Sequence, residues 1–262
     1  MAGKVIAITG ANGGLGRALA QFFAEGGDNV VLLGRKFDKV KEVADAIGAR
    51  ALPVICDVGV PASVRAAFET IAKTHPKIDV LINNAAIFHP FLIEEATDDQ
   101  ILNGVLANLA GPILCARSAI PMLNRGGHII NISSESIALP FPHLGVYQAT
   151  KAGLENFSVH LHRELEDKAI RVTVVRAGQM MGPGMSLEME PEAAMRFGME
   201  AMRRGMNMQA RGITTYQSTL SVFRTLIDLP EDIHVGTVTF ESRAGVMLGM
   251  PSASGSQSPA KS

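Results

Sequence analysis

The sequence predicts a single α/β domain, with a seven-stranded, mostly parallel sheet and helices on both faces. Short β-branched runs alternate with amphipathic or apolar helical patterns along the 262 residues. The first six runs show no alternation of apolar and polar residues, which indicates strands buried on both faces. Together these patterns are typical of a doubly wound fold, in which helices cover each face of a parallel sheet.

The predicted strands cover residues 5–9, 30–33, 52–55, 80–82, 128–132, 172–175 and 235–240. The predicted helices cover 15–25, 37–47, 61–74, 98–123, 145–167 and 215–228. The length suits one domain, which we assign to residues 1–250. Residues 251–262 contain no aromatic or large aliphatic side chain and are predicted to form a flexible tail.

A methionine-rich segment at 180–212 departs from the alternation of strands and helices. Four of its methionines recur at helical spacing and form one apolar stripe: Met195, Met199, Met202 and Met206. The segment follows the sixth strand, at the sheet edge where such folds bind ligands. The stripe therefore either closes over a ligand or packs on the domain body or on a partner subunit.

The charge balance favours a small-molecule partner. The 24 basic and 25 acidic residues give a net charge of -1, so neither nucleic acid nor an anionic membrane surface is expected.

Cys56 and Cys115 lack neighbours suited to a zinc site, and we expect reduced thiols and no metal. The start of the chain lacks the pattern of a secretory signal, and no apolar run of roughly 18 residues is present. We expect a cytoplasmic protein without membrane insertion.

A glycine-rich turn follows the first predicted strand. Glycines permit positive φ and let backbone N–H groups approach a pyrophosphate at the positive end of a helix. A strand before the turn and a helix after it predict a Rossmann-type dinucleotide site. The cofactor-binding residues predicted here are Gly10, Asn12, Gly13, Gly14, Leu15 and Gly16.

The residues after the second strand indicate which dinucleotide binds. An NAD site would place a carboxylate there, whereas this chain has Arg35 and Lys36. Arginine pairs with a 2′-phosphate, so NADP is favoured while NAD stays possible. The alternative is that both cations are merely solvated at a helix start.

Tyr147 and Lys151 lie four residues apart, on one face of a predicted helix. A nearby ammonium is expected to lower the pKa of the phenol toward the working pH and make it a usable acid or base. Such a pair also occurs by chance on exposed helices. Ser134 precedes Tyr147 at the end of the fifth strand, where its hydroxyl can polarise a substrate oxygen.

These motifs, in this order, resemble the short-chain dehydrogenase/reductase family over residues 4 to about 180. The spacing Thr-Gly-x-x-x-Gly-x-Gly, Asp57 after the third strand and Asn83-Asn84-Ala85-Ala86 after the fourth carry the resemblance. It implies hydride transfer between NAD(P)H and a carbonyl or secondary alcohol, with a catalytic tetrad of Asn108, Ser134, Tyr147 and Lys151. Within that tetrad, Asn108 would hold a water beside the lysine.

The resemblance also implies further cofactor contacts and an assembly. The added cofactor-binding residues are Asp57, Val58, Asn84, Ala85, Ala86, Tyr147, Lys151, Ala177, Gly178 and Met180. A homodimer or homotetramer is expected through the helices at 98–123 and 145–167. The chain departs from the family's pattern at Ala86, Ala177 and Gly182, which stand where the family has glycine, proline and a threonine.

The substrate is assigned only to a class. Ser134, Glu135, His143 and Tyr147 are placed around it, and the adaptable methionines favour a hydrophobic compound. Tyr216 is considered as an alternative acid and rejected, because it has no lysine four residues later. Two other functions compete: a dinucleotide sensor or interaction subunit without chemistry, and an epimerase or dehydratase of the related extended type.

Overall fold

Seven parallel strands form the central sheet in the computed structural model, which describes residues 3–182, 191–206 and 212–242. The strands are β1 (Val5–Thr9), β2 (Asn29–Gly34), β3 (Ala51–Ile55), β4 (Ile78–Asn83), β5 (Leu123–Ser134), β6 (Arg171–Ala177) and β9 (Thr237–Phe240). Their spatial order is β3-β2-β1-β4-β5-β6-β9. The predicted fold class is confirmed.

Helices cover both faces of this sheet. They are α1 (Gly14–Glu25), α2 (Phe37–Ile47), α3 (Pro61–Thr74), α4 (Asp98–Val105), α5 (Gly111–Ala119), α6 (Gly145–Glu164), α7 (Pro191–Arg203) and α8 (Tyr216–Asp228). A π-helical stretch, Leu106–Ala110, joins α4 to α5, so the helix predicted at 98–123 is continuous but not regular. By length and composition alone, Asp98–Met122 would be able to cross a membrane, a test that a core helix of a soluble protein also passes.

The lack of alternation in the strands reflects burial on both faces. Ile6 and Ile8 point into one core, beside Phe23 of α1 and Phe223 of α8. Ala7 points into the opposite core, which α3 and α5 cover. All three β1 side chains are fully buried. A parallel sheet covered on both sides requires apolar residues at every position.

The sheet order reverses between β1 and β4, and a crevice opens there at the carboxyl ends of the strands. Hydrogen bonds tie the two strand ends together. Thr9 Oγ1 accepts from the backbone N–H groups of Asn84 and Ala85, each at 3.0 Å, and Asn84 Nδ2 donates to the Thr9 carbonyl at 2.9 Å. These hydrogen bonds therefore hold the ends of β1 and β4 in a fixed position at the base of the crevice.

Two small elements follow β6. Strand β7 (Met180–Met181) pairs in parallel with β8 (Thr214–Thr215), a pairing that the sequence did not predict. Helix α7 packs through Phe197 and Ala201, whereas Met195, Met199 and Met202 are each about 60% exposed. Three members of the methionine stripe thus face outward in the single chain, whereas Met206 packs against the cluster of Phe141, Leu144 and Phe197. The remaining parts of the segment at 180–212, and the tail at 251–262, lie outside the described residues.

Candidate active site

A cavity of about 370 Å³ occupies the crevice at the carboxyl ends of β1 and β4. This volume lies within the range of small-molecule sites. Its wall includes these predicted cofactor-binding residues: Gly10, Asn12, Gly13, Gly14, Leu15, Arg35, Asp57, Val58, Asn84, Ala85 and Ala86. Predicted residues from four separate chain segments thus meet in one place.

The glycine turn is shaped by close backbone approach. Gly10 has φ +67°, and a Cβ atom there would lie 2.9 Å from Ala85 Cα. A Cβ atom on Gly16 would lie 2.4 Å from the Gly10 carbonyl oxygen, so a side chain is excluded although Gly16 does not itself line the cavity. Helix α1 begins directly after Gly13, with its free N–H groups at the turn. This arrangement fits the pyrophosphate of a dinucleotide.

The far end of the cavity carries the groups predicted for the adenosine half of a cofactor. Arg35 is exposed at the end of β2, next to Lys36. Asp57 Oδ1 accepts from the Gly59 backbone N–H at 2.9 Å, which fixes the carboxylate in a turn beside the buried Val58. A cation at the rim suits a 2′-phosphate.

Tyr147 and Lys151 lie on α6, outside the wall of this cavity. The Lys151 ammonium lies 5.8 Å from the centroid of the Tyr147 ring and donates to the Ile132 carbonyl at 2.7 Å. Burial raises the pKa of Tyr147, and a hydrogen bond with Ser134 lowers it in part. The expectation that the ammonium brings this pKa down is therefore wrong for this structure, because desolvation of the phenolate dominates.

Lys151 is only 2% exposed, and burial lowers its pKa to about 8. Its ammonium is stabilised by one backbone carbonyl and is otherwise poorly solvated. Ser134 Oγ accepts from the Ser136 backbone N–H at 3.2 Å. The neighbouring Ser133 is buried and points to the other side of the strand, as predicted from side-chain alternation.

Asn108 lies within the π-helical stretch, a distortion often found at functional sites. Its side-chain oxygen accepts from the Ile87 backbone N–H at 2.7 Å, and its amide nitrogen donates to the Ile87 carbonyl at 2.8 Å. The side chain thus fixes the loop after β4. A buried chain of hydrogen bonds from Asn83 to Asn131 and on to Ser158 links β4, β5 and α6.

An aromatic group connects the cavity to Tyr147. Phe88 lines the cavity, and its ring contacts the Tyr147 ring edge-on at 5.0 Å between centroids. Phe197 of α7 lies 6.4 Å from Phe88 and 6.1 Å from Phe141. Helix α7 therefore covers the region beside Tyr147 with phenylalanine, while its exposed Met195, Met199 and Met202 face outward.

Several predicted site residues lie away from the cavity wall. Ala177 is buried in the core, and Gly178 donates to the Phe240 carbonyl at 3.0 Å. Met180 packs against the same core from β7. His143 has φ +63° and uses its carbonyl to accept from the Phe91 N–H. Glu135 approaches Gly178, where its carboxylate oxygen lies 3.4 Å from the position of an added Cβ atom.

The cavity also contains residues that the sequence did not indicate: Gly34, Cys56, Gly59, Val60, Ile87, Phe88, Asn103, Leu106, Ala107 and Tyr216. Asn103 and Leu106 lie three residues apart on the helix after β4, and this spacing would place them on one face. Tyr216 comes from a segment that is distant in the sequence from the other lining residues. Its position at the start of a predicted helix is the one feature of the sequence that could have suggested a place near the cavity.

The fold and this glycine-lined cavity define a nucleotide-binding oxidoreductase. A family model described as short chain dehydrogenase matches residues 4–192, so the chain belongs to that family and uses NAD(P). Carbonyl reductase family member 4 of Danio rerio is 33% identical over 195 residues, covering 74% of this chain and 82% of that protein. The family resemblance and the enzyme class predicted from the motifs are confirmed.

Two solved structures are similar over nearly the whole chain. L-Sorbose reductase from Gluconobacter frateurii, complexed with NADPH and L-sorbose, has a TM-score of 0.78 and 25% identity, covering 92% of this chain and 96% of that one. A 3-ketoacyl-(acyl-carrier-protein) reductase from Brucella melitensis, complexed with NADH, has a TM-score of 0.75 and 27% identity, covering 91% and 97%. Both nicotinamide cofactors thus occur among these relatives.

Proposed function

We propose that the protein transfers hydride between NADP(H) and a carbonyl or secondary alcohol of a hydrophobic small molecule, with Tyr147 as the acid and base. One observation carries this proposal: the half-buried Tyr147 phenol has a pKa raised by desolvation, is hydrogen-bonded to Ser134, and has the Lys151 ammonium 5.8 Å from its ring centroid. A phenol with a raised pKa is a proton donor at neutral pH.

In the reduction direction, bound reduced nicotinamide supplies hydride to the carbonyl carbon. Ser134 orients and polarises the carbonyl oxygen through its hydroxyl. Tyr147 donates its proton to that oxygen as negative charge develops there. The Lys151 ammonium then stabilises the resulting phenolate by its positive charge. Oxidation of the alcohol reverses these proton movements.

Preference for NADPH rests on Arg35 and Lys36. Both side chains are exposed at the end of β2, where the cavity reaches solvent and where Arg35 forms part of its wall. A guanidinium binds a phosphate bidentately, whereas a carboxylate at that position would repel it.

A hydrophobic substrate is favoured by the aromatic group beside Tyr147. Phe141 and Phe197 are each 8% exposed, and Phe88 and Leu139 pack against them. A carbonyl compound that reaches Tyr147 from this side would be surrounded by phenylalanine rings, which bind apolar and aromatic groups. The relative in Danio rerio is itself named a carbonyl reductase.

The test is a panel of aliphatic, aromatic and hydroxylated ketones with NADPH and with NADH, followed by the absorbance of the reduced nicotinamide. We expect turnover with NADPH to exceed turnover with NADH by about tenfold or more, and apolar ketones to exceed polyhydroxylated ones. Cofactor binding without turnover of any member of the panel would favour the sensor function instead.

We further propose a cytoplasmic homodimer or homotetramer. Leu102 and Val105 are exposed on the helical stretch from Asp98 to Met122, and Val159 is 61% exposed on the neighbouring α6. An apolar face of this kind suits a second copy of the chain. A Val159→Glu substitution should reduce the molar mass measured by light scattering, and an unchanged mass would exclude this face.

A further inference from the structure

Tyr216 is the one tyrosine of the chain that the chemistry above does not use. It begins α8, is 8% exposed and lines the cavity beside the glycine turn. Its hydroxyl oxygen lies 3.3 Å from the position that a Cβ atom on Gly14 would occupy. The phenol therefore lies over the first residue of α1.

Gly182 fixes the position of this ring. A Cβ atom on Gly182 would lie 2.4 Å from Tyr216 Cδ2 and 2.9 Å from Tyr216 Cε2, closer than real Cβ contacts come. Because only glycine leaves this space, the aromatic ring stacks directly on the backbone after β7. The absence of a side chain at Gly182 is thus explained by the tyrosine that fills its place.

Hydrogen bonds also fix the backbone at the start of α8. Thr215 caps the helix by accepting from the Ser218 backbone N–H at 3.2 Å, and Thr219 Oγ1 donates to the Tyr216 carbonyl at 2.7 Å. A ring held by both its backbone and a neighbouring glycine loses little entropy when its hydroxyl binds a ligand.

Burial raises the pKa of Tyr216, so its hydroxyl is protonated at neutral pH. A protonated phenol placed beside free backbone N–H groups adds one more donor to a site that already favours anions. An aspartate or glutamate at the same place would oppose an anion.

We infer that the Tyr216 hydroxyl donates a hydrogen bond to the pyrophosphate of the cofactor, from a position beside the first residue of α1. This inference rests on the placement of the pyrophosphate at that turn. It assigns Tyr216 to cofactor binding and leaves the proton chemistry to Tyr147.

The first experiment compares Tyr216→Phe with the unaltered protein, because phenylalanine keeps the ring packing on Gly182 and removes only the hydroxyl. The dissociation constant of NADPH, from its fluorescence, should rise about tenfold, the effect of losing a hydrogen bond to a charged group. Binding of adenosine 2′-monophosphate, which lacks the pyrophosphate, should not change. Gln217→Ala, on the same turn of α8 but exposed, is the matched control and should bind both ligands normally.

An unchanged dissociation constant for NADPH would overturn the inference. Equal weakening of NADPH and adenosine 2′-monophosphate would also overturn it, since the effect would then not depend on the pyrophosphate. A purely structural role for the hydroxyl would lower the melting temperature without separating the two ligands.

A second experiment uses the contact with Gly182. Gly182→Ala should weaken NADPH binding in the unaltered background, because the new methyl group displaces the ring. In a Tyr216→Ala background the same substitution should have little further effect, since the clash is gone. Additive losses in the double variant would show that Gly182 and Tyr216 do not act together.

A third experiment tests separately whether the pyrophosphate of the cofactor binds at the glycine turn. Gly14 has φ +52°, a conformation that aspartate and asparagine tolerate, so Gly14→Asp places a negative charge at the turn and Gly14→Asn is its neutral control. A large loss of NADPH affinity for Gly14→Asp alone supports the placement. If this substitution is silent, the placement is wrong. If it is disruptive and Tyr216→Phe is silent, only the assignment of Tyr216 is wrong.

Discussion

His128 makes a specific prediction about the dependence of stability on pH. It lies on β5, is 2% exposed, and has its Nε2 atom 2.8 Å from Thr173 Oγ1. Because the Thr173 hydroxyl donates to the Val235 carbonyl at 2.7 Å, the imidazole must donate to Thr173. Its Nδ1 atom is buried without a hydrogen-bond partner among the described residues. The site therefore accommodates a neutral ring.

Burial, followed by the charges of Arg171, His234 and Lys4 in that order, lowers the pKa of His128 from 6.5 to about 3. In the unfolded chain the ring titrates near its ordinary value. The folded state thus has its full stability above pH 6.5 and loses it as the pH falls toward the folded pKa. At about 1.4 kcal/mol per pH unit, the loss between pH 6.5 and about pH 5 is roughly 2 kcal/mol.

The assay is urea unfolding at several pH values between about 7.5 and 5, for the unaltered protein and for His128→Gln. Glutamine keeps a side-chain N–H for Thr173 but has no proton to gain, so its free energy of unfolding should lose about 2 kcal/mol less over this interval. His160→Gln, an exposed substitution on α6, should leave the pH dependence unchanged. Equal pH slopes for the unaltered protein and His128→Gln would refute the reasoning.

Three further predictions concern the active site. Arg35→Asp should raise KM for NADPH by about tenfold or more and improve use of NADH, and an unchanged ratio of kcat/KM for the two cofactors would show that the 2′-phosphate is bound elsewhere. The kcat/KM for ketone reduction should fall as the pH rises through about 8, which is the pKa of Lys151. Above this pH the neutral amine no longer stabilises the Tyr147 phenolate. A flat profile to about pH 10 would contradict this role of Lys151. Phe197→Ala should raise KM for apolar ketones by about tenfold without changing NADPH affinity, whereas Met199→Ala on the exposed side of α7 should do neither.

The central sheet could be predicted from sequence because burial on both faces leaves a signal in every strand. Ile6, Ala7 and Ile8 are all fully buried, and no polar residue interrupts them. The predicted strand ends were less accurate, and β5 begins at Leu123 where 128 was expected. Its first residues follow a short helical turn and include two glycines, so their composition resembles a loop.

The active site shows where sequence patterns lose information. The pair of Tyr147 and Lys151 was visible from its spacing, but the direction of the pKa shift was not, because desolvation depends on the atoms that surround the ring. Phe88 and Phe197 were missed because they are neighbours only after α7 folds over the loop that follows β4.

Tyr216 illustrates the same limit more sharply. It lies about 200 residues after the glycine turn in the sequence, and only the three-dimensional contact with Gly14 and Gly182 relates them. The missing side chain at Gly182 was evident from the sequence as a departure from the family's pattern. Its cause, a tyrosine ring packed in that space, was not.

The most direct test of the proposed chemistry is the single-turnover rate of NADPH oxidation by Tyr147→Phe with a ketone that the unaltered protein reduces. Phenylalanine keeps the edge-on contact with Phe88 and removes the proton that the substrate oxygen must receive. We expect the rate to fall by about a hundredfold or more, the usual contribution of a general acid, while the dissociation constant of NADPH stays within about threefold. A Tyr147→Phe variant that reduces the ketone at the unaltered rate would contradict the assignment of Tyr147 as the proton donor.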